Sequence, residues 1–152
     1  MSPLAVWLTT FGVCVVSAMV PVVNAEIYLL SASALAPRSL VVPLILAATL
    51  GQMVGKVVMY YAARGAVKLP WRWMERGIGA VEARFRNREG LGGLVLFSSA
   101  TAGFPPFYAV TVAWGLLRMR LAHFLVVGFI GRLIRFTVVV LLPQLAKNSL
   151  SM

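Results

Sequence analysis

Charged residues are scarce in this sequence: they occupy 12% of its 152 positions, whereas 61% of the positions are hydrophobic and the mean hydropathy is +0.90. Too few polar side chains exist to cover the surface of an ordinary soluble domain. We therefore predict an integral membrane protein. Residues 1–152 are expected to form a single membrane domain, because this length leaves no room for a separate soluble module.

Acidic residues, cysteine and histidine are scarcer still. The chain has four acids, all glutamate, one cysteine and one histidine. Cys14 can form neither an intrachain disulfide nor a cysteine-based metal site, and in its apolar run it is expected to be a small packing residue. His123, near a helix start, is expected at the membrane interface. No nucleophile and base, phosphate-cradling loop or metal-ligand cluster is recognisable, so we predict no enzyme, no metal and no other cofactor.

Positive charge, by contrast, is abundant and clustered. The net charge is +10, and residues 64–88 carry 7 of the 14 basic residues between two apolar segments. Anionic lipid headgroups are therefore the expected partner, and nucleic acid is not. Within the linker 64–90, apolar residues between 71 and 85 recur at spacings of three and four. This pattern predicts an interfacial amphipathic helix, and its basic residues predict a cytoplasmic position.

The first 37 residues predict a re-entrant hairpin. An apolar run ends before Pro21, and the next run, after Glu26, has only ten residues, about 15 Å of helix or half a bilayer. The turn is therefore placed near Pro21 to Glu26, with Pro21 as its turn residue. Two alternatives are a kinked pair of full spans and a signal peptide cleaved after Ala25, although no Lys or Arg precedes the apolar run.

Residues 39–63 predict a transmembrane helix. Gly51 and Gly55 form a small-xxx-small pair, so another helix is expected to pack closely here. Lys56 has two interpretations: its ammonium group extends to the headgroups, or it lines a polar path.

Residues 91–117 predict a second re-entrant hairpin, because Pro105 and Pro106 cannot continue an α-helix. Residues 121–142 then form a second transmembrane helix. The resulting order is hairpin, span, basic helix, hairpin, span, with the two halves in opposite orientation. We predict an all-α, multi-pass inverted repeat whose hairpins meet at the membrane midplane, where a translocation site would lie.

Two arginines stand in the middle of the second span. Arg132 and Arg135 each cost roughly 2.5–3.5 kcal/mol in lipid, which offsets the gain of about 0.3–0.6 kcal/mol from each of the fifteen Leu, Ile, Val and Phe residues around them. Their spacing places both on one helix face, pointing at an anion, a carboxylate or a water-filled cavity. Gly128 and Gly131 would let a neighbouring backbone approach the same region.

Glu26 is the only acid in an apolar context. A carboxylate there can pair with arginine, take up a proton or face water, so Glu26 is either a proton carrier or half of a permanent structural ion pair. Asn24 and Gln52, together with Tyr108, are candidate secondary polar ligands.

Four stretches carry a family resemblance: Pro21-x-x-Asn24-Ala25-Glu26, residues 51–61, Gly103-x-Pro105-Pro106 and Gly131-Arg132-x-x-Arg135-Phe136. They resemble the DedA family, also called the VTT or SNARE-associated domain family, and most of all its short, YqaA-like members. Longer members carry a Pro-Gly-Glu type sequence in the first hairpin, and here the glycine is absent.

The resemblance implies two re-entrant hairpins in the bacterial cytoplasmic (inner) membrane and lipid translocation. Bacterial relatives recycle undecaprenyl phosphate, and eukaryotic relatives scramble phospholipids. Carried across, the hairpin acid falls on Glu26 and the paired arginines fall on Arg132 and Arg135.

We therefore predict a lipid transporter or flippase for a phosphate-bearing lipid. Arg132 and Arg135 would bind the phosphate through parallel N–H···O bonds, with Asn24 and Gln52 as further ligands and Glu26 coupling protons to transport. Homo-oligomerisation stays open. The alternative is a structural or assembly membrane protein whose buried Glu–Arg pairs only specify helix packing.

Overall fold

The described part of the chain is helical. The structure is a computed structural model that describes residues 2–20, 23–66 and 89–150, and no strand lies in these ranges. In chain order the helices are α1 (Pro3–Met19), α2 (Ala25–Leu35), α3 (Val41–Ala66), α4 (Glu89–Ala102), α5 (Phe107–Leu116) and α6 (Leu121–Leu150), with a 3₁₀ turn at Arg38–Leu40. The predicted all-α class is confirmed for these residues. Pro21 and the predicted interfacial helix of the linker lie outside them.

The first predicted hairpin consists of α1 and α2, with 17 and 11 residues. Ser2 caps α1 by accepting a hydrogen bond from the Ala5 N–H at 3.2 Å, and Pro3 fits the first turn, where its missing N–H costs nothing. At 1.5 Å per residue the two helices measure about 25 and 16 Å, short of the roughly 30 Å of a bilayer core. Their lengths agree with a re-entrant hairpin, and membrane insertion itself stays a prediction.

The second predicted hairpin consists of α4 and α5, with 14 and 10 residues. Gly103 follows α4 at φ 82°, a left-handed conformation that glycine adopts without steric cost. Pro106 is the N-cap of α5, and the Ser99 hydroxyl donates to the Pro105 carbonyl oxygen at 2.5 Å across the turn. The prediction that Pro105 and Pro106 interrupt the apolar run is confirmed.

The two long helices, α3 and α6, have 26 and 30 residues. Residues Arg38–Gly65 and Leu121–Pro143 are long and apolar enough to cross a membrane, by length and composition. The second helix was predicted to end at Leu142, but α6 continues through Pro143. A proline there removes the hydrogen bond to the carbonyl of Val139 and its ring crowds that carbonyl, but the helix continues on both sides of it.

The chain divides into two compact units. Unit 1 contains α1, α2, α3 up to Gly55 and α6 from Arg132. Unit 2 contains α3 from Lys56, α4, α5 and α6 up to Gly131. Each long helix therefore contributes to both units.

Unit 1 is held by close contact between α3 and α1. A Cβ added at Gly55 would lie 2.5 Å from the Ala18 Cβ, and one added at Gly51 would overlap the carbonyl oxygen of Phe11. The close packing predicted for the two glycines is thus confirmed, with α1 as the partner. Cys14 is fully buried in the adjoining apolar core, as expected of a packing residue.

Unit 2 is built around aromatic side chains. The Phe124 ring stacks on Tyr60 and on Phe107, with centroid distances of 6.0 and 5.9 Å. The Tyr60 hydroxyl donates to the Met119 carbonyl oxygen at 2.6 Å. Gly131 allows α6 to approach α4, since an added Cβ would lie 2.6 Å from the Ala100 Cβ.

Candidate functional site

The candidate site lies in unit 1, where α6 faces the first turn of α2. Arg135 Nε donates to Glu26 Oε1 in an ion pair that joins residues 109 positions apart. The Arg135 and Glu26 side chains are 22% and 28% exposed. The pair is therefore partly enclosed, which strengthens the attraction between the two charges, and partly exposed.

Arg132 belongs to the same group of charges. Its guanidinium carbon lies 5.9 Å from the centroid of the fully buried Phe136 ring, a distance that allows a cation–π interaction. Arg132 also interacts electrostatically with Arg135 and with Glu26. Arg132, Arg135 and Glu26, hereafter the charge cluster, therefore carry a net charge of +1.

Asn24 acts on the charge cluster through the backbone. Its side-chain oxygen accepts hydrogen bonds from the N–H groups of Glu26 at 2.9 Å and Ile27 at 3.4 Å, and it thereby caps α2. Asparagine one residue before a helix is a recognised capping signal, so this role was available from the sequence. The cap positions Glu26, and the proposal that Asn24 binds substrate stays a prediction.

Gln52 lies elsewhere in unit 1. Its side chain is buried, and Nε2 donates to the Ser17 hydroxyl at 2.6 Å, which in turn donates to the Cys14 carbonyl oxygen at 3.0 Å. Gln52 thus ties α3 to α1. These bonds give it a packing role, and its substrate-binding role also stays a prediction.

Two further sequence candidates belong to unit 2. Tyr108 is 48% exposed on the first turn of α5, and the exposed His123 ring lies 5.9 Å from the Trp114 ring in an edge-on contact. Pro105 and Pro106 also lie in this unit, as the turn before α5.

The structure contradicts one of the two interpretations of Lys56. It is 3% exposed, so the ammonium group is not extended to solvent or headgroups. Nζ lies 3.7 Å from the Met59 sulfur and 5.6 Å from the centroid of the Phe107 ring. The eight-residue spacing to Arg64 suggested an exposed position, but the Phe107 ring that lies near Lys56 is distant in sequence.

Among the residues that the structure describes, no three His, Cys, Asp or Glu side chains are grouped closely enough to hold a metal ion.

Residues 20–145 match the model of the VTT domain, the domain of the DedA/SNARE-associated family. The chain belongs to this family. The matched segment contains the whole charge cluster and Lys56, and α1 lies before this segment. VTT-domain proteins are membrane-associated, and the predicted family is confirmed. No curated protein and no solved structure gives a significant match to this VTT-domain protein.

Proposed function

We propose that this VTT-domain protein is a transporter that moves a phosphate-bearing lipid, such as undecaprenyl phosphate or a phospholipid, across the bacterial cytoplasmic membrane. In this proposal α3 and α6 span the bilayer, and the α1–α2 and α4–α5 hairpins enter it from opposite faces. Membership of a membrane-associated family and two helices of spanning length support the membrane position.

The charge cluster carries the proposal. Its net charge of +1 attracts an anion, and two arginines three residues apart present planar guanidinium groups that match the geometry of phosphate oxygens. The exposed fractions of Arg135 and Glu26 leave a route by which a headgroup can reach the pair. Nothing in this arrangement supplies a nucleophile, so the proposal is transport without chemical change of the lipid.

Exchange of partners gives a mechanism for proton coupling. A lipid phosphate that binds Arg135 would displace the Glu26 carboxylate from its ion pair. A carboxylate without that partner at bilayer depth is costly, and taking up a proton removes most of the cost. Lipid binding would then be linked to proton uptake by Glu26, and lipid release to re-formation of the pair.

The second candidate function is structural. It is favoured by the Arg135–Glu26 contact itself, because a paired ion at depth can fix which helices pack together without binding a ligand. In that case the arginine contributes only its positive charge, and the planar, fork-like arrangement of its N–H donors is not required.

Lipid translocation in liposomes distinguishes the two functions. Purified protein is reconstituted with fluorescent phosphatidylglycerol, and the labelled lipid that crosses to the outer leaflet is quenched chemically. Arg132→Lys keeps the charge and loses the fork, so a phosphate site should slow by about tenfold, the effect of about 1.4 kcal/mol. Arg38→Lys, at an exposed arginine of the 3₁₀ turn, is the matched control and should keep the wild-type rate.

An unchanged rate in folded Arg132→Lys would contradict phosphate binding and favour the structural function. A wild-type protein that moves no lipid would contradict transport of this lipid altogether.

A further inference from the structure

Three exposed arginines lie around one turn of unit 2, the turn between α5 and α6. Arg118 and Arg120 belong to this turn, and Arg64 belongs to the last turn of α3. Arg64 Nη1 donates to the Tyr60 hydroxyl at 3.0 Å, and the same hydroxyl donates to the Met119 carbonyl oxygen at 2.6 Å. A single hydroxyl therefore joins Arg64 to the turn that carries the other two arginines, hereafter with Arg64 the basic cluster.

Arg118 occupies a backbone position that glycine usually fills. Its φ is 52°, and its N–H donates to the Gly115 carbonyl oxygen at 3.1 Å, while the Met119 N–H donates to the Trp114 carbonyl oxygen at 3.1 Å. These two bonds form a Schellman motif, in which the left-handed residue after the helix is most often glycine. An arginine here has a steric cost that glycine avoids, and it places a charged side chain at the turn. Arg118→Gly should therefore remove the charge without weakening the turn.

A partly open cavity of about 210 Å³ lies beside the same turn. Leu117 and Met119, the neighbours of Arg118 in the chain, both line it. Trp114 lines it as well, and its indole N–H donates to the Arg120 carbonyl oxygen at 3.4 Å. The cavity thus shares its wall with the turn that carries two of the three arginines.

The wall of this cavity favours a hydrocarbon chain. Its lining side chains are apolar apart from the Trp114 N–H, which already has the Arg120 carbonyl oxygen as its partner. A buried water needs about two to four polar partners, whereas an apolar cavity of about 150 Å³ is large enough to hold benzene. A cavity of about 210 Å³ therefore has room for a segment of an acyl chain.

We infer that unit 2 binds one anionic phospholipid, with an acyl chain in the cavity and the phosphate at the basic cluster. Three cations beside an apolar cavity are complementary to a molecule with a negative headgroup and a hydrocarbon chain. Arginine suits the headgroup, because its planar N–H donors bind phosphate oxygens in parallel. None of these residues belongs to the charge cluster in unit 1, so the inference does not depend on the proposed transport.

Trp114 provides a fluorescent probe inside the proposed site. Replacing Trp7, Trp71 and Trp73 by phenylalanine leaves it as the one tryptophan of the chain. Phosphatidylglycerol with brominated acyl chains is titrated into this detergent-solubilised full chain, and bromine beside the indole ring quenches its fluorescence. Brominated phosphatidylcholine is the comparison without net charge, and inorganic phosphate is the competitor without chains. We expect saturable quenching at a lower concentration of phosphatidylglycerol than of phosphatidylcholine, with no displacement by phosphate.

Removing the arginines tests the headgroup contact. Arg118→Gly and Arg120→Gln should each raise the half-quenching concentration of phosphatidylglycerol by about fivefold, the contribution of one basic residue to attraction for anionic lipid. Because glycine suits the left-handed backbone, Arg118→Gly should unfold at the same temperature as the parent chain or higher, which separates lost binding from lost folding. Arg38→Gln, at an exposed arginine of unit 1, is the matched control and should change nothing. Unchanged phosphatidylglycerol binding in the folded double variant would overturn the headgroup assignment.

Filling the cavity tests the acyl-chain contact. Ala113→Phe, at a lining residue, should abolish the saturable quenching, whereas Ala122→Phe, at an exposed position of α6 outside the lining, should keep it. If Ala113→Phe does not fold, Ala109→Leu, at an exposed lining residue, should reduce the quenching instead. Full quenching in the folded lining variant would overturn the inference.

Equal affinity of the parent chain for the two lipids, or displacement of phosphatidylglycerol by inorganic phosphate, would also overturn it. Arg132→Lys should leave the quenching of Trp114 unchanged. Failure of the proposed function is therefore a separate result, a wild-type protein that moves no lipid in liposomes.

Discussion

Neutralising Glu26 should strengthen the binding of an anionic lipid. In the structure the Glu26 carboxylate occupies Arg135 and reduces the charge of the cluster from +2 to +1. Glu26→Gln keeps the size of the side chain and removes the competing negative charge. If the arginines bind phosphate, the variant should therefore bind phosphatidylglycerol more tightly than the wild-type protein does.

The magnitude follows from the position of the carboxylate. A unit charge about 5 Å from a bound phosphate contributes about 3 kcal/mol at an effective dielectric constant near 20. Glu26 is 28% exposed and Arg135 22%, so solvent screening reduces this repulsion. Taking roughly half of it gives about 1.4 kcal/mol, or about a tenfold lower Kd.

Isothermal titration calorimetry on detergent-solubilised protein measures these Kd values. Glu89→Gln is the matched control, because it makes the same change at the first residue of α4, in unit 2. It should leave the Kd as in the wild-type protein. A Kd that is unchanged or weaker in folded Glu26→Gln would refute competition between the carboxylate and the lipid.

Two further predictions concern packing and topology. Gly55→Val should lower the thermal unfolding midpoint by several degrees, because overpacking costs about 1–3 kcal/mol. Gly65→Val should change the midpoint little, because a Cβ added at Gly65 meets nothing within 4 Å. Equal shifts of the two variants in calorimetry would contradict the close contact at Gly55. With Cys14 replaced, single cysteines at Arg38 and Arg88 should be labelled from opposite sides of the membrane, and labelling from the same side would rule out the predicted topology.

Local chemistry made part of this structure predictable. Two adjacent prolines remove two backbone donors wherever they stand, so the interruption at Pro105 and Pro106 could be predicted without knowing the fold. The pair Gly51 and Gly55 likewise predicts close packing from its spacing alone. The partner, α1, could not be predicted, because the identity of a neighbouring helix depends on the tertiary arrangement.

Composition made the ion pair predictable over a long sequence distance. Because Glu26 is the only acid in an apolar context, an arginine in an apolar helix had few candidate partners, and the structure joins Glu26 to Arg135. The sequence did not distinguish which arginine would make the contact. It also left the burial of Lys56 undecided, since the Phe107 ring near its ammonium group comes from α5, about fifty positions away in the sequence.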